Sequence, residues 1–227
     1  MNLNKSYEFF APDSVADRIH IIGCGSVGST IAENLARFGI TKMTLYDFDT
    51  VEEKNIVNQM FTSKHVGKPK VEALADILCE INPEIKDDLV LVPEGYSDRS
   101  MLSGYVFLAV DNIDLRREIA QKYKGNPFIK AMFDFRTRLT DAQHYAADWS
   151  VPIQVESFLN SMDFSSEEAE EATEVSACGT TLGVAPTVRL VVGFGVTNFL
   201  NFVRGGDAPP LKKMILVDAF AHSVVAF

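Results

Sequence analysis

Arg18-Ile19-His20-Ile21-Ile22-Gly23-Cys24-Gly25-Ser26-Val27-Gly28 decides how this chain folds. An apolar run enters a G-x-G-x-x-G turn, and a helix-like segment, Thr30 to Arg37, leaves it. In nucleotide domains this device holds phosphate. The first glycine makes the tight turn, the second lets a phosphate approach the backbone, and the third lets helix and strand pack closely. The unpaired N–H groups and the positive dipole end of the helix then face the anion. A glycine turn used only for packing is the plainer alternative. Met43-Thr44-Leu45-Tyr46 reads as a second strand. It runs into Asp47 and Asp49, about 20 residues beyond the turn, where such folds place a ribose-binding acid.

Outward from this unit the chain alternates. Val71 to Ile81 has helical spacing and stops at Asn82-Pro83, Leu89 to Val92 reads as a strand, and Tyr105 to Val110 as a fully buried one. Asp114 to Tyr123 reads as a helix and Phe128 to Phe135 as a strand. The pattern predicts an α/β fold, Rossmann-like and doubly wound, with a mostly parallel sheet and an elaborated C-terminal half. Glu52 to Lys70 is polar and long for a connection. From Leu139 the pattern changes. Asp141 to Trp149 reads as a strand, Ser157 to Glu174 as an acidic mobile stretch, and Val184 to Val203 as a long apolar helix closed by Gly205-Gly206. Lys213 to Ala219 and Ser223 to Ala226 read as terminal strands. With no repeat or low-complexity linker, a single domain is expected over 1–227: an N-terminal arm (1–17), a nucleotide-binding half (18–138), and a half facing substrate and a partner subunit (139–227).

A chain of 227 residues can bury a sizeable core, and 47% hydrophobic with 23% charged residues is ordinary for a soluble protein. The net charge of -10 argues against a nucleic-acid partner, which would need a basic surface. Much of that charge sits in one block, Glu167, Glu168, Glu170, Glu171 and Glu174, which reads as a solvated face. Three cysteines (Cys24, Cys79, Cys178) suggest no disulfide framework and fit a reducing compartment. No stretch is read as approaching the roughly 20 apolar residues of a membrane span. Residues 1–17 lack a signal-peptide core, so a cytoplasmic location without a membrane partner is expected.

Further motifs bear on which nucleotide is bound. Asn55 is followed by Asn58-Gln59, then by Gly67-Lys68-Pro69-Lys70, and the fourth strand runs into Asp111-Asn112 with Arg116 four residues after the asparagine. An acid at a strand C-terminus in a doubly wound sheet points into the ligand crevice. With a lysine beside it, it suits a Mg-bound triphosphate: the carboxylate takes the hard cation and the ammonium offsets phosphate charge.

Taken in order from about Arg18 to Ala219, these stretches resemble the ThiF/MoeB superfamily, the adenylating domain shared with ubiquitin-activating enzymes. The resemblance implies that ATP and Mg²⁺ are bound. It also implies adenylation of the C-terminal carboxylate of a small ubiquitin-like or sulfur-carrier protein or peptide, and a homodimer. Gly25 and Lys70 would meet the phosphates, Asp49 and Asn55 the ribose side, and Asp111 the Mg²⁺. Gly23, Gly28, Asp47, Asn58, Gln59 and Asn112 would complete the nucleotide site, and Arg116 would join Lys70 and Asp111 in catalysis. Cys178, shortly before Gly183-Val184-Ala185-Pro186, would be a possible acceptor of the activated acyl group, because a thiolate near a helix N-terminus is a good nucleophile. A buried small hydrophobe is the alternative for Cys178, and Cys24 and Cys79 read as structural.

Two departures stand out. Asn58 occupies the place of the family's arginine and cannot grip a phosphate bidentately, and the arm 1–17 has no arginine. Either Lys54, Lys64, Lys68 or Arg37 compensates, or catalysis is weak or absent. Four-cysteine zinc binding, seen in many relatives, is not expected with three cysteines and no Cys-x-x-Cys pair; stoichiometric zinc in purified protein would refute this. Arg136 reads either as a contact for a carboxylate or phosphate or as a structural ion pair, and His144 as a satisfied sheet histidine. Other readings are a degenerate ATP-binding scaffold, adenylation of a small-molecule or tRNA-bound carboxylate, and, least, an NAD-dependent oxidoreductase.

Overall fold

Strands β1 (Ile19–Ile22), β2 (Met43–Tyr46), β3 (Val90–Val92), β4 (Gly104–Leu108) and β5 (Ile129–Thr137) pair in parallel in the computed structural model, which describes residues 1–171, 174–175 and 182–227. β6 (Asp141–Asp148), β7 (Met214–Asp218) and β8 (Ser223–Ala226) extend the same sheet antiparallel, in the order β3-β2-β1-β4-β5-β6-β7-β8. Helices α1 (Ser26–Arg37), α2 (Lys70–Ile81) and α6 (Ala185–Arg204) contribute to one core, and α3 (Ile113–Lys122) and α4 (Pro152–Asn160) to the other. Coverage of both faces explains why the central strands read as unbroken apolar runs. In β4, Tyr105 and Phe107 belong to the first core and Val106 and Leu108 to the second. The first core is aromatic at its centre: Phe107 stacks on Phe133 with ring centroids 4.8 Å apart, and Phe199 of α6 meets Phe107 edge-on at 5.4 Å.

Several expectations need correction. Ala109 and Val110 lie outside β4, because the chain leaves the sheet there to reach Asn112, the N-cap of α3. Of the stretch expected to be mobile, Ser157–Asn160 belongs to α4 and Ser166–Glu171 forms α5. Pro152 starts α4 and its Val155 and Phe158 are buried, the latter edge-on to Trp149 at 5.8 Å, so apolar packing overrides the polar composition. The long connection Glu52 to Lys70 is ordered by two short 3-10 turns, Glu53–Val57 and Ser63–His65, each closed by a capping box. By length and its mean hydropathy of 1.2, α6 is long and apolar enough to cross a membrane, contrary to the reading that no stretch approaches such a span. Half of this apolar stretch is nevertheless buried within the fold.

Of the three buried histidines, His20 and His144 carry the larger shifts and are held neutral. His20 Nδ1 lies 3.0 Å from the Tyr46 hydroxyl and its Nε2 accepts the Ser103 N–H. His144 is the satisfied sheet histidine: Nδ1 donates to the Asp134 carbonyl at 3.1 Å, and Nε2 accepts from Asn198 Nδ2 at 3.1 Å. Burial, with Arg18 nearby, lowers His20 to about 4. Burial, only partly countered by Asp134, lowers His144 to about 4. An unfolded histidine takes its proton near pH 6.5, so both imidazoles stabilise the fold fully above that pH. That contribution is lost as pH falls from there towards 4, by about 1.4 kcal/mol per pH unit for each histidine. Urea midpoints should therefore be lower at pH 5 than at pH 7; equal midpoints would contradict neutral burial.

Candidate active site

The site forms where the chain leaves β1 towards β2 on one side and β4 towards β5 on the other, the switch point at which open α/β sheets hold ligands. Each glycine of the turn has a distinct reason. Gly23 has φ +94°, and a Cβ there would lie 2.8 Å from the Ala109 carbonyl of the facing strand exit. A Cβ on Gly28 would sit 1.8 Å from the Gly23 carbonyl, so the helix packs on its own turn only through glycine. Gly25 opens onto free space. α1 begins at Ser26, and its first N–H groups have no acceptor within the helix. A phosphate fits that cradle.

Asp47 braces the turn from β2. Its carboxylate accepts the Cys24 N–H at 2.6 Å through one oxygen and the Asp49 N–H at 2.9 Å through the other. Burial pushes this carboxyl up, against the Cys24 N–H and Lys70, which favour the charge. Cys24 itself is buried and its thiol is pushed well above the usual range, mainly by burial, so it is inert.

A short antiparallel contact then brings two motifs together. Val51 N–H donates to the Lys68 carbonyl, Gly67 N–H to the Val51 carbonyl, and Lys70 N–H to the Asp49 carbonyl, each at 2.8 Å. The result is that Lys70 Nζ lies 2.7 Å from Asp49 Oδ2. The lysine side chain is 9% exposed and the aspartate 52%, so the cation is held in place while the acid keeps a face to solvent. Asp111 is exposed just past β4, and Asn112 Oδ1 caps α3 by accepting the Leu115 N–H at 2.9 Å. Among the asparagines beyond Asp49, Asn55 Oδ1 accepts the Glu52 N–H at 2.8 Å, and Asn58 Nδ2 donates to the Gly183 carbonyl at 3.3 Å. Gln59 Oε1 is buried with no partner among the described residues.

Arg116 departs from its expected catalytic place. It is buried, with Nε donating to the Val110 carbonyl at 2.8 Å and Nη1 to the Phe135 carbonyl at 2.6 Å, and it pairs with Asp134. Arg136 binds the other oxygen of Asp134 at 2.6 Å and the Ser161 carbonyl at 2.6 Å, with its guanidinium 4.4 Å from the Tyr145 ring centroid. Asp134 is fully buried between them. Burial alone would raise its carboxyl, but the two guanidiniums and their hydrogen bonds outweigh it and hold the carboxyl below its ordinary range. Arg116 therefore holds the Val110 carbonyl, next to Asp111, and Arg136 is a structural ion pair. Asp134 was not foreseen; the only signal was a carboxylate inside an apolar strand. Cys178 lies outside the described residues.

Comparison with known proteins agrees with this geometry. A stretch of 86 residues, 38% of this chain, is 43% identical to ubiquitin-like modifier-activating enzyme 5 of Drosophila willistoni, and spans only 20% of that relative. The crystal structure of E. coli MccB with ATP superposes with a TM-score of 0.66 at 16% identity, covering 95% of this chain and 64% of MccB. The structure of MccB with AMPCPP and MccA gives a TM-score of 0.70 at 16% identity, over 95% and 65%. The family model described as ThiF family matches residues 14–226. The chain belongs to the ThiF family.

Proposed function

We propose that this chain is an ATP-dependent adenylyltransferase that activates the C-terminal carboxylate of a small ubiquitin-like or sulfur-carrier protein or peptide. The observation that carries the reading is the Asp49–Lys70 pair beside the open glycine turn, with Asp111 at the facing strand exit. The relatives named as ubiquitin-like modifier-activating enzymes, and MccB solved with ATP and with MccA, support it. In the reaction a carboxylate oxygen attacks the α-phosphorus. The new C–O–P link forms as the bond to the bridging oxygen breaks, and the electron pair leaves with pyrophosphate. The N–H groups of α1 and the Lys70 ammonium would offset the phosphate charge. Asp111 would hold Mg²⁺, which supplies further charge stabilisation to the leaving pyrophosphate.

Substrate-dependent ATP–pyrophosphate exchange tests this, using small proteins or peptides ending in Gly-Gly. Lys70→Ala is expected to lower the exchange rate by about 10²–10³-fold, as for loss of one preorganised charge contact. Exchange that is unaffected would remove Lys70 from the phosphates. A second reading, an ATP-binding scaffold without turnover, is favoured by Asn58, which spends its amide on Gly183 and carries no charge. ATP binding without exchange for any carboxylate would support it. Acyl transfer to Cys178 is a further proposal; Cys178→Ser that still formed every covalent adduct of the wild type would end it. A homodimer is proposed as well. Leu190 and Phe194 leave an apolar strip exposed on α6, and sedimentation of the purified chain tests this.

A further inference from the structure

Arg189, at the rim of the phosphate cradle, is a cation that no carboxylate among the described residues pairs with. It projects from the second turn of α6, is exposed, and its Nη1 rests on the Met60 sulfur at 2.9 Å. A thioether is a weak acceptor, and among the described residues no carboxylate pairs with this guanidinium. Met60 is in turn tied to the glycine turn: its N–H donates to Ser29 Oγ, in the first turn of α1, at 3.3 Å. The neighbouring Asn58 joins the same two segments by its bond to the Gly183 carbonyl, just before α6.

The four cations that could have replaced the family's arginine are already engaged. Arg37 is paired with Glu33, Lys54 with Glu52 at 3.0 Å, Lys64 with Glu80 at 2.8 Å, and Lys68 with Asp76 at 2.8 Å. Arg116 and Arg136 are both spent on Asp134. A triphosphate carries more negative charge than Lys70 and a helix N-terminus offset, and a guanidinium with free donors is suited to the remainder.

We propose that Arg189 binds the β- and γ-phosphates of ATP, making it a nucleotide-binding residue supplied by the C-terminal half of the chain. The inference rests on the ATP reading above. Calorimetric titration of the whole chain with MgATP and with AMP tests it, in wild type, Arg189→Ala, Arg189→Lys and the Arg189→Ala/Asn58→Arg pair. Arg189→Ala should weaken MgATP about tenfold, the usual effect of losing one charge-assisted contact, and change AMP affinity less than about twofold. Arg189→Lys should recover part of the loss. Asn58→Arg, from the adjacent segment, should recover most of it. Unchanged MgATP affinity in Arg189→Ala would show a solvated surface arginine, and equal weakening of ATP and AMP an effect that does not involve the β- and γ-phosphates; either would overturn the proposal while leaving the ATP reading intact. A wild type that binds neither nucleotide would overturn both. Melting temperatures of the two single Arg189 variants should match wild type, since that side chain is exposed.

Discussion

Asp134→Ala should destabilise the fold by about 3–5 kcal/mol, because it leaves a buried and a half-buried guanidinium without their shared counter-charge. In a chain of this size that is roughly a 10 °C fall in melting temperature. Arg116 and Arg136 would lose the carboxylate that binds both, and the Val110 carbonyl would lose its fixed donor. Nucleotide affinity should fall along with stability, since Val110 adjoins Asp111. Asp134→Asn, which keeps the shape and one acceptor, should recover part of the stability. Because the folded carboxyl is held below its usual range, this contribution is full above about pH 4 and is lost as pH falls through the folded value. The variant should therefore show a shallower acid limb than wild type. An Asp134→Ala protein as stable as wild type would mean that the cluster does not organise this end of the sheet.

Two alanine substitutions in the glycine turn should separate folding from ligand binding. At Gly28 a methyl would meet the Gly23 carbonyl at 1.8 Å, so α1 must move off its turn. The expected cost is at least about 3 kcal/mol, at the severe end of overpacking, with nucleotide binding lost. At Gly25 a methyl meets nothing, so stability should hold within about 0.5 kcal/mol. That methyl would occupy the space through which a phosphate approaches, and ATP affinity should fall about tenfold or more for loss of a charge-assisted backbone contact. Thermal melts and nucleotide titrations of the two variants read both effects. A stable Gly28→Ala, or a Gly25→Ala that binds ATP as well as wild type, would reverse the assigned roles.

The parallel half of the fold was legible because its signals are local. Apolar runs, helical spacing and the turn from Gly23 to Gly28 each act within a few residues, and they predicted β1, α1, β2 and β5 to within a few positions. That Asp49 and Lys70 share one site was legible only through the resemblance, and their pairing was not legible at all, since the contact depends on the antiparallel bridge Thr50–Pro69, which no periodicity announces. Arg116 was misplaced for a related reason. An arginine one helical turn from a crevice acid looks free in sequence, and only the buried Asp134 on β5 shows that it is engaged. Arg189 was not foreseen because its neighbour Met60, itself bonded to Ser29, comes from a distant segment brought to it by the packing of α6 near α1. The acidic stretch misled in the opposite sense: composition suggested mobility, whereas Phe158 is buried in α4 and Ser166–Glu171 is helical.

The central claim is that the turn from Gly23 to Gly28, with Lys70 and Asp111, holds ATP rather than a dinucleotide. Calorimetric titration of the purified chain with MgATP, and separately with NAD⁺, tests it most directly. One MgATP per chain is predicted, with binding weakened at least about tenfold when Mg²⁺ is chelated or Lys70 is replaced by alanine, and with no saturable NAD⁺ binding. Saturable NAD⁺ binding with no response to MgATP would contradict it.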